Sequence, residues 1–317
     1  MTNAIYPKLC RTKLLLAAAA GSVAFGPLAA ETLPVSGLYP ANSDDALAVH
    51  SIALDNFDGR IGTRLSFALA DALQDAQVEG RPWFTILPFA DSGNPPDAVM
   101  RGYADMEVIT SKLSDKVNKV CDEKDRDGKC TKEREEKIPC RRMQVTFSPD
   151  IRLISTAGGT VYSRRDRLTR SRDYCYDDRT RPAPEDLLEP AIAEFAGTVR
   201  SDLVPHYYDG GYRVLETTSG MGKDDKAAFK QAIRLTKSDI GTACRGFMAL
   251  EPTNPQSAAV IFNIGLCYES AGQLDLAETY YKRALPLDRG KDNAADGLSR
   301  IARRYRADRQ LDAHFGQ

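Results

Sequence analysis

The sequence predicts a mixed-sheet α/β (α+β) domain with long β-hairpins, followed by an all-α domain of helical hairpins. Three observations carry this. Segments of period-two alternation separated by Gly-containing turns crowd the stretch between residues 83 and 163. Helical periodicity brackets them at 62–77 and again after Pro184. From residue 223 onward the helical pattern resumes and continues to residue 311.

In chain order, Lys8, Arg11 and Lys13 precede an apolar run ending in Leu28, Ala29 and Ala30. That arrangement reads as a secretory signal peptide over residues 1–30, cleaved before Glu31; an uncleaved anchor is the competing reading. Cys10 leaves with the peptide, and no Cys follows the run to carry a lipid. Residues 31–45, rich in Pro, Gly, Ser and Asn, read as a linker, and the globular part is expected from 46 to 205.

Within it, residues 48–54 form a strand, and Leu65, Leu69, Ala72, Leu73 and Ala76 mark a helix. Trp83 opens a second strand. Gly59 and Gly62 sit at the strand-to-helix turn but match neither the dinucleotide pattern nor a phosphate loop, so a tight turn is expected. A long strand begins at Val99, and residues 130–147 read as its return partner across the turn pair Asp127 and Gly128. Glu123, Asp125, Asp127 and Gly128 have the spacing of a calcium loop, yet its twelfth position is Arg134, where a bidentate Glu is required.

Seven cysteines are present, six of them beyond the leader: Cys121, Cys130, Cys140, Cys175, Cys244 and Cys267. An even number in an exported chain points to disulfides, and their spacing does not suit zinc. A hairpin turning at Ala157 and Gly158 places Cys140 opposite Cys175, with a bulge expected at Pro149. Cys121 and Cys130 then close the first hairpin tip, one of three pairings that four cysteines permit. Cys244 and Cys267 are either a staple between helices or two buried thiols.

Arg164, Arg165, Arg167, Arg170 and Arg172 form a cluster that reads as a solvated rim or as a candidate surface for an anionic partner. A helix opens at Pro184, with Leu188, Ile192, Phe195, Val199 and Leu203 on one face to cover the sheet. Quoted in order, SIALDNFDGRIGTRLSFALADALQDA, WFTIL, VMRGYADMEV, VTFSPDIRLISTAGGTVYS and AIAEFAGTVRSDLVP resemble the periplasmic α/β domain of CsgG- and LpoB-like envelope proteins. The resemblance implies a small mixed sheet with helices on one side and a role in secretion or envelope assembly. Two departures weigh against pore formation: no lipidated Cys, and a segment at 112–142 too charged to alternate lipid-facing residues.

Residues 206–222 read as a connector with an edge strand at Tyr212. Residues 223–311 carry the helical array. Gly265, Tyr268, Gly272, Ala277, Tyr281 and Ala284 resemble the tetratricopeptide repeat, and a step of 34 back lands on Ala243, Phe247 and Leu250. In that family the first helix of each unit lines a protein-binding groove, which here implies Ala259, Phe262, Asn263, Leu266, Glu269 and Ser270. The last helix, with Leu298, Ile301 and Tyr305 on one side, reads as a solvating cap.

A formal net charge of -1 argues against nucleic acid as a whole-chain partner. His50, His206 and His314 lie beside no nucleophile signature, and no catalytic residue, metal site or cofactor is expected. The function that follows is a class of role: a periplasmic, non-enzymatic envelope adaptor or assembly protein with a protein partner. The alternatives are an accessory component of a CsgG-type secretion or outer-membrane assembly, and an envelope enzyme with an unrecognised site.

Overall fold

The structure is a computed structural model and describes residues 31–55, 57–87, 95–287 and 292–316. The expected signal peptide lies outside these residues. The chain is a mixed α/β protein with two hydrophobic cores.

Residues 31–45 are not a linker. Thr32–Tyr39 is strand β1, and Leu33, Val35 and Tyr39 are its buried alternate positions. Pro34 and Gly37 mask that period-two signal in the sequence. Ser51–Leu54 (β2), helix α1 (Gly62–Gln74), the short strands β3 (Gln77–Val78) and β4 (Arg81–Pro82), and β5 (Thr85–Leu87) follow. Gly59 makes the turn into α1 with φ +90°, and a Cβ there would lie 2.2 Å from the Ala104 carbonyl oxygen. Backbone packing, not phosphate, explains that glycine.

Strands β6 (Ala98–Lys112) and β9 (Cys140–Ser155) pair antiparallel over their whole length, from Ala98 opposite Ser155 to Lys112 opposite Arg141. Between them lies a separate ribbon, β7 (Lys116–Lys124) with β8 (Cys130–Ile138). The return strand expected to be continuous is broken at Pro139, which has no N–H to give to a ladder. β10 (Thr160–Arg165) and β11 (Leu168–Cys175) both pair with β9. The sheet order is β10-β9-β6-β2-β5, with β2 parallel to β5 and β6. Register shifts between Thr160 and Tyr162, beside the turn, and not at Pro149 as expected. Beyond that point Cys175 stands opposite Cys140.

Helix α2 (Pro184–Leu203) begins with Pro at its first position, and Asp186 accepts from the Ala183 N–H at 2.9 Å. Its face Leu188, Ile192, Phe195, Val199 and Leu203 is buried, with α1, against Val145, Phe147, Ile151 and Leu153 of β9. Strand β12 (His206–Arg213) then pairs with β1, from Thr32 opposite Arg213 to Tyr39 opposite His206. The edge strand expected to start at Tyr212 thus ends just beyond it.

Helices α3 (Lys223–Leu235), α4 (Ile240–Leu250), α5 (Ala258–Ser270), α6 (Leu274–Ala284) and α7 (Asn293–Phe315) complete the chain. Asp239 caps α4 by accepting from the Thr242 N–H at 2.9 Å, and Gly272 turns α5 into α6 with φ +74°. No described helix is long and apolar enough to cross a membrane.

Candidate functional site

The six residues expected to line a protein-binding groove all lie on α5. Ala259, Phe262, Asn263, Leu266 and Glu269 are buried, and Ser270 is half-buried. They do not form a free groove, because the chain itself fills it. Leu33 and Val35 of β1 and Val214 belong to the same apolar cluster. Asn263 grips the backbone of Leu215 twice: its Oδ1 accepts from the Leu215 N–H at 2.8 Å, and its Nδ2 donates to the Leu215 carbonyl at 2.9 Å. An extended segment is therefore held where a peptide ligand was expected. The physical reason is α5 itself, apolar on all sides and unable to remain uncovered.

Glu269 has a different task from peptide contact. With its side chain fully buried, it accepts from Arg300 Nε at 2.9 Å, Arg300 Nη2 at 2.6 Å and the Tyr281 hydroxyl at 2.5 Å. The Arg300 guanidinium lies 3.8 Å from the Tyr212 ring centroid. Burial works to lower the pKa of Arg300, but the hydrogen bonds and charge of Glu269 outweigh it and raise it. Burial, reinforced by the Glu269 carboxylate, pushes the Tyr281 hydroxyl well up. Tyr281 is pinched between Gly265 and Gly297, where added Cβ atoms would lie 2.9 Å and 2.6 Å from its ring. Arg300 carried no sequence signal, since an Arg on an Arg-rich helix reads as solvated, and Tyr212 read only as an edge-strand position.

Three disulfides are present: Cys121–Cys130, Cys140–Cys175 and Cys244–Cys267. Two of them lie in an arm formed by the distal halves of β6, β9 and β11 together with the β7–β8 ribbon. The ribbon has no buried residue. Cross-strand ion pairs run along it, Arg134 to Asp122 at 2.8 Å, Lys132 to Glu123 at 2.9 Å and Lys119 to Glu133 at 3.4 Å. At its tip the N–H groups of Asp127 and Lys129 donate to Asp125 Oδ1, so the calcium-like spacing serves a turn. At its base Lys116 meets Asp177 at 2.8 Å, which holds that carboxyl below the usual range through its hydrogen bond.

The arginine cluster is not a bare cationic surface. Arg164 pairs with Asp202 at 2.8 Å and Asp166 at 3.2 Å, Arg165 with Asp150, Arg167 with Glu107 at 3.9 Å and Arg170 with Glu194. Only Arg172 of the five lacks an ion pair among the described residues. Neighbouring carboxylates on β6, β9 and α2, remote in sequence, neutralise the rest.

His314, near the end of α7, is buried with its ring 3.9 Å from that of Trp83. Its Nδ1 lies 2.7 Å from the Leu47 carbonyl and its Nε2 2.8 Å from that of Trp83. Burial holds its pKa below the ordinary histidine value, against the opposing pull of those two carbonyls. His50 packs on it at 4.5 Å between ring centroids, while His206 is exposed beside Tyr39. No cluster of three potential metal ligands occurs among the described residues.

No protein-family model matches the chain, and no curated protein matches it in sequence. Among solved structures, a point-substituted PelC dodecamer from Paraburkholderia phytofirmans is 18% identical, covering 55% of this chain and 97% of that one, at a TM-score of 0.22. A second PelC dodecamer from the same organism is 16% identical, covering 52% and 96%, at 0.23. A neuraminyllactose-binding hemagglutinin homologue from Helicobacter pylori is 12% identical, covering 51% and 82%, at 0.22. At these scores the likenesses carry no argument about role.

Proposed function

We propose that this chain is an exported, non-enzymatic assembly protein of the cell envelope that binds a protein partner, and that the stapled arm is its recruiting surface. In this reading the sheet body is a CsgG/LpoB-like periplasmic domain, and the helices after residue 223 are a short tetratricopeptide-like array turned to internal bracing. The three disulfides support an oxidising compartment.

The observation that carries the proposal is the arm. Its β7–β8 ribbon buries nothing, and a two-stranded ribbon without an apolar face is marginal in water. Covalent bonds at Cys121–Cys130 and Cys140–Cys175 hold its shape instead. A shape maintained without a core serves something outside the molecule. Val117, 49% exposed, and Ile109, 46% exposed, offer apolar contacts among the charges.

The test is a photo-crosslinking residue at Val117 in cells, with a second at Lys282 on α6 as control. One specific envelope protein captured from Val117, and lost in Cys121→Ser/Cys130→Ser, is expected. Equal capture from both positions, or capture only of further copies of this chain in rings, would reject the adaptor reading; rings would favour the accessory-channel alternative.

A further inference from the structure

A cavity of 330 Å³ lies between the first turns of α7 and the β1–β12 ribbon. Tyr212 and Phe262 supply its apolar lining, and Asp296, Ser299, Arg300 and Arg303 line it from α7. Ser299 and Arg300 lie three and four residues after Asp296, and Arg303 four and three residues after them, which places the set on one helix face. The volume is at the small end for ligand pockets and suits a single amino acid better than a peptide or nucleotide.

The charges determine the class of ligand. Arg300 has a side chain only 5% exposed and commits Nε and Nη2 to Glu269 and Tyr281. Its Nη1 makes no hydrogen bond among the described residues. Glu269 thereby draws Arg300 away from Asp296, its neighbour one turn earlier. Arg213, also at the cavity, is matched by Glu216 at 2.9 Å. What remains is one cation, Arg303, and one carboxylate, Asp296, neither in an ion pair among the described residues. Arg303 lies over the Tyr39 ring at 5.1 Å, and its guanidinium makes no hydrogen bond among the described residues. A simple anion would answer only the arginines, and a simple cation only Asp296.

We propose that this cavity binds a small zwitterion, a free α-amino acid with an apolar side chain. Its carboxylate meets Arg300 Nη1 and Arg303, its ammonium meets Asp296, and its side chain lies over Tyr212 and Phe262. An α-amino acid presents both charges within the reach of a single helical turn, the interval between Asp296 and Arg300. The site lies in the helical half, away from the arm, so it stands or falls independently of the recruiting role.

The experiment is titration calorimetry of the full chain with L-alanine, L-leucine and L-phenylalanine, and with the half-molecules 3-phenylpropionate and 2-phenylethylamine. At least one amino acid is expected to bind, with phenylalanine about tenfold tighter than either half-molecule. Asp296→Asn and Arg303→Gln, both at exposed positions, each weaken the amino acid about tenfold, while Asp296→Asn leaves 3-phenylpropionate unchanged. Absence of binding by all three amino acids at millimolar concentration overturns the proposal. So does 3-phenylpropionate binding as tightly as phenylalanine with no effect of Asp296→Asn.

Discussion

At the scale of single residues, Arg300 and Glu269 form the most consequential pair in the helical half, because both are buried and they meet at 2.6 Å. Arg300→Met leaves the Glu269 carboxylate uncompensated, and a loss of about 3–5 kcal/mol in urea unfolding is expected. Glu269→Gln in that background restores part of it, because a neutral amide no longer needs the cation. His314 makes stability depend on pH. Its folded pKa is depressed, so the unfolded chain binds the proton first as pH falls. Its contribution is complete above about pH 6.5 and declines below that value. His50 and Arg81 face it, and positive charge on either acts in the same direction. Asp97 and Asp44 are held below the usual carboxylate range, so their contributions disappear only at lower pH. Urea midpoints measured from neutral pH downward should fall first through the histidine range, and His314→Gln should remove that first step.

At the scale of elements, α5 and the arm are opposite extremes. α5 buries nearly every side chain and acts as the axis of the helical core, with Cys267 tied to Cys244 of α4. Closing that 23-residue separation contributes about 3 kcal/mol by the loop-entropy account, so Cys244→Ala/Cys267→Ala should lower the stability of the helical half by roughly that amount. The β7–β8 ribbon contributes no buried residue to either core. Cys121→Ala/Cys130→Ala should therefore leave the global urea midpoint almost unchanged while amide exchange in β7 and β8 accelerates strongly. A large loss of global stability would show that the ribbon supports the body after all.

At the scale of the molecule, the two ends of the chain cross between the cores. β1 packs Leu33 and Val35 into the helical core, whereas α7 begins in that core at Ala294 and Ile301 and ends in the other at Leu311. Gln310 secures the crossing by accepting from the Ala41 N–H at 2.8 Å and donating to the Ala41 carbonyl at 3.0 Å. Trp83, the single tryptophan, is covered by His314 and Phe315. Truncation after Ala307 should shift its fluorescence to the red and lower the melting temperature of the sheet body, although the segment removed follows the helical half in sequence and not the sheet. An unchanged emission spectrum would mean that α7 does not latch the two cores.

Elements whose signal lies in local periodicity were legible from the sequence: the faces of α1 and α2, the return of β6 onto residues 141–147, and the alternation of small and aromatic residues in α5 and α6. The opposition of Cys140 and Cys175 was legible for a related reason, since hairpin register is counted outward from a turn. Local pattern does not specify what covers an apolar face. Only the tertiary structure decided that β1 and Leu215 fill the groove of α5, that Glu269 serves Arg300, and that the end of α7 seals Trp83. Each joins residues far apart in the chain, where the choice of partner depends on burial and charge compensation in three dimensions.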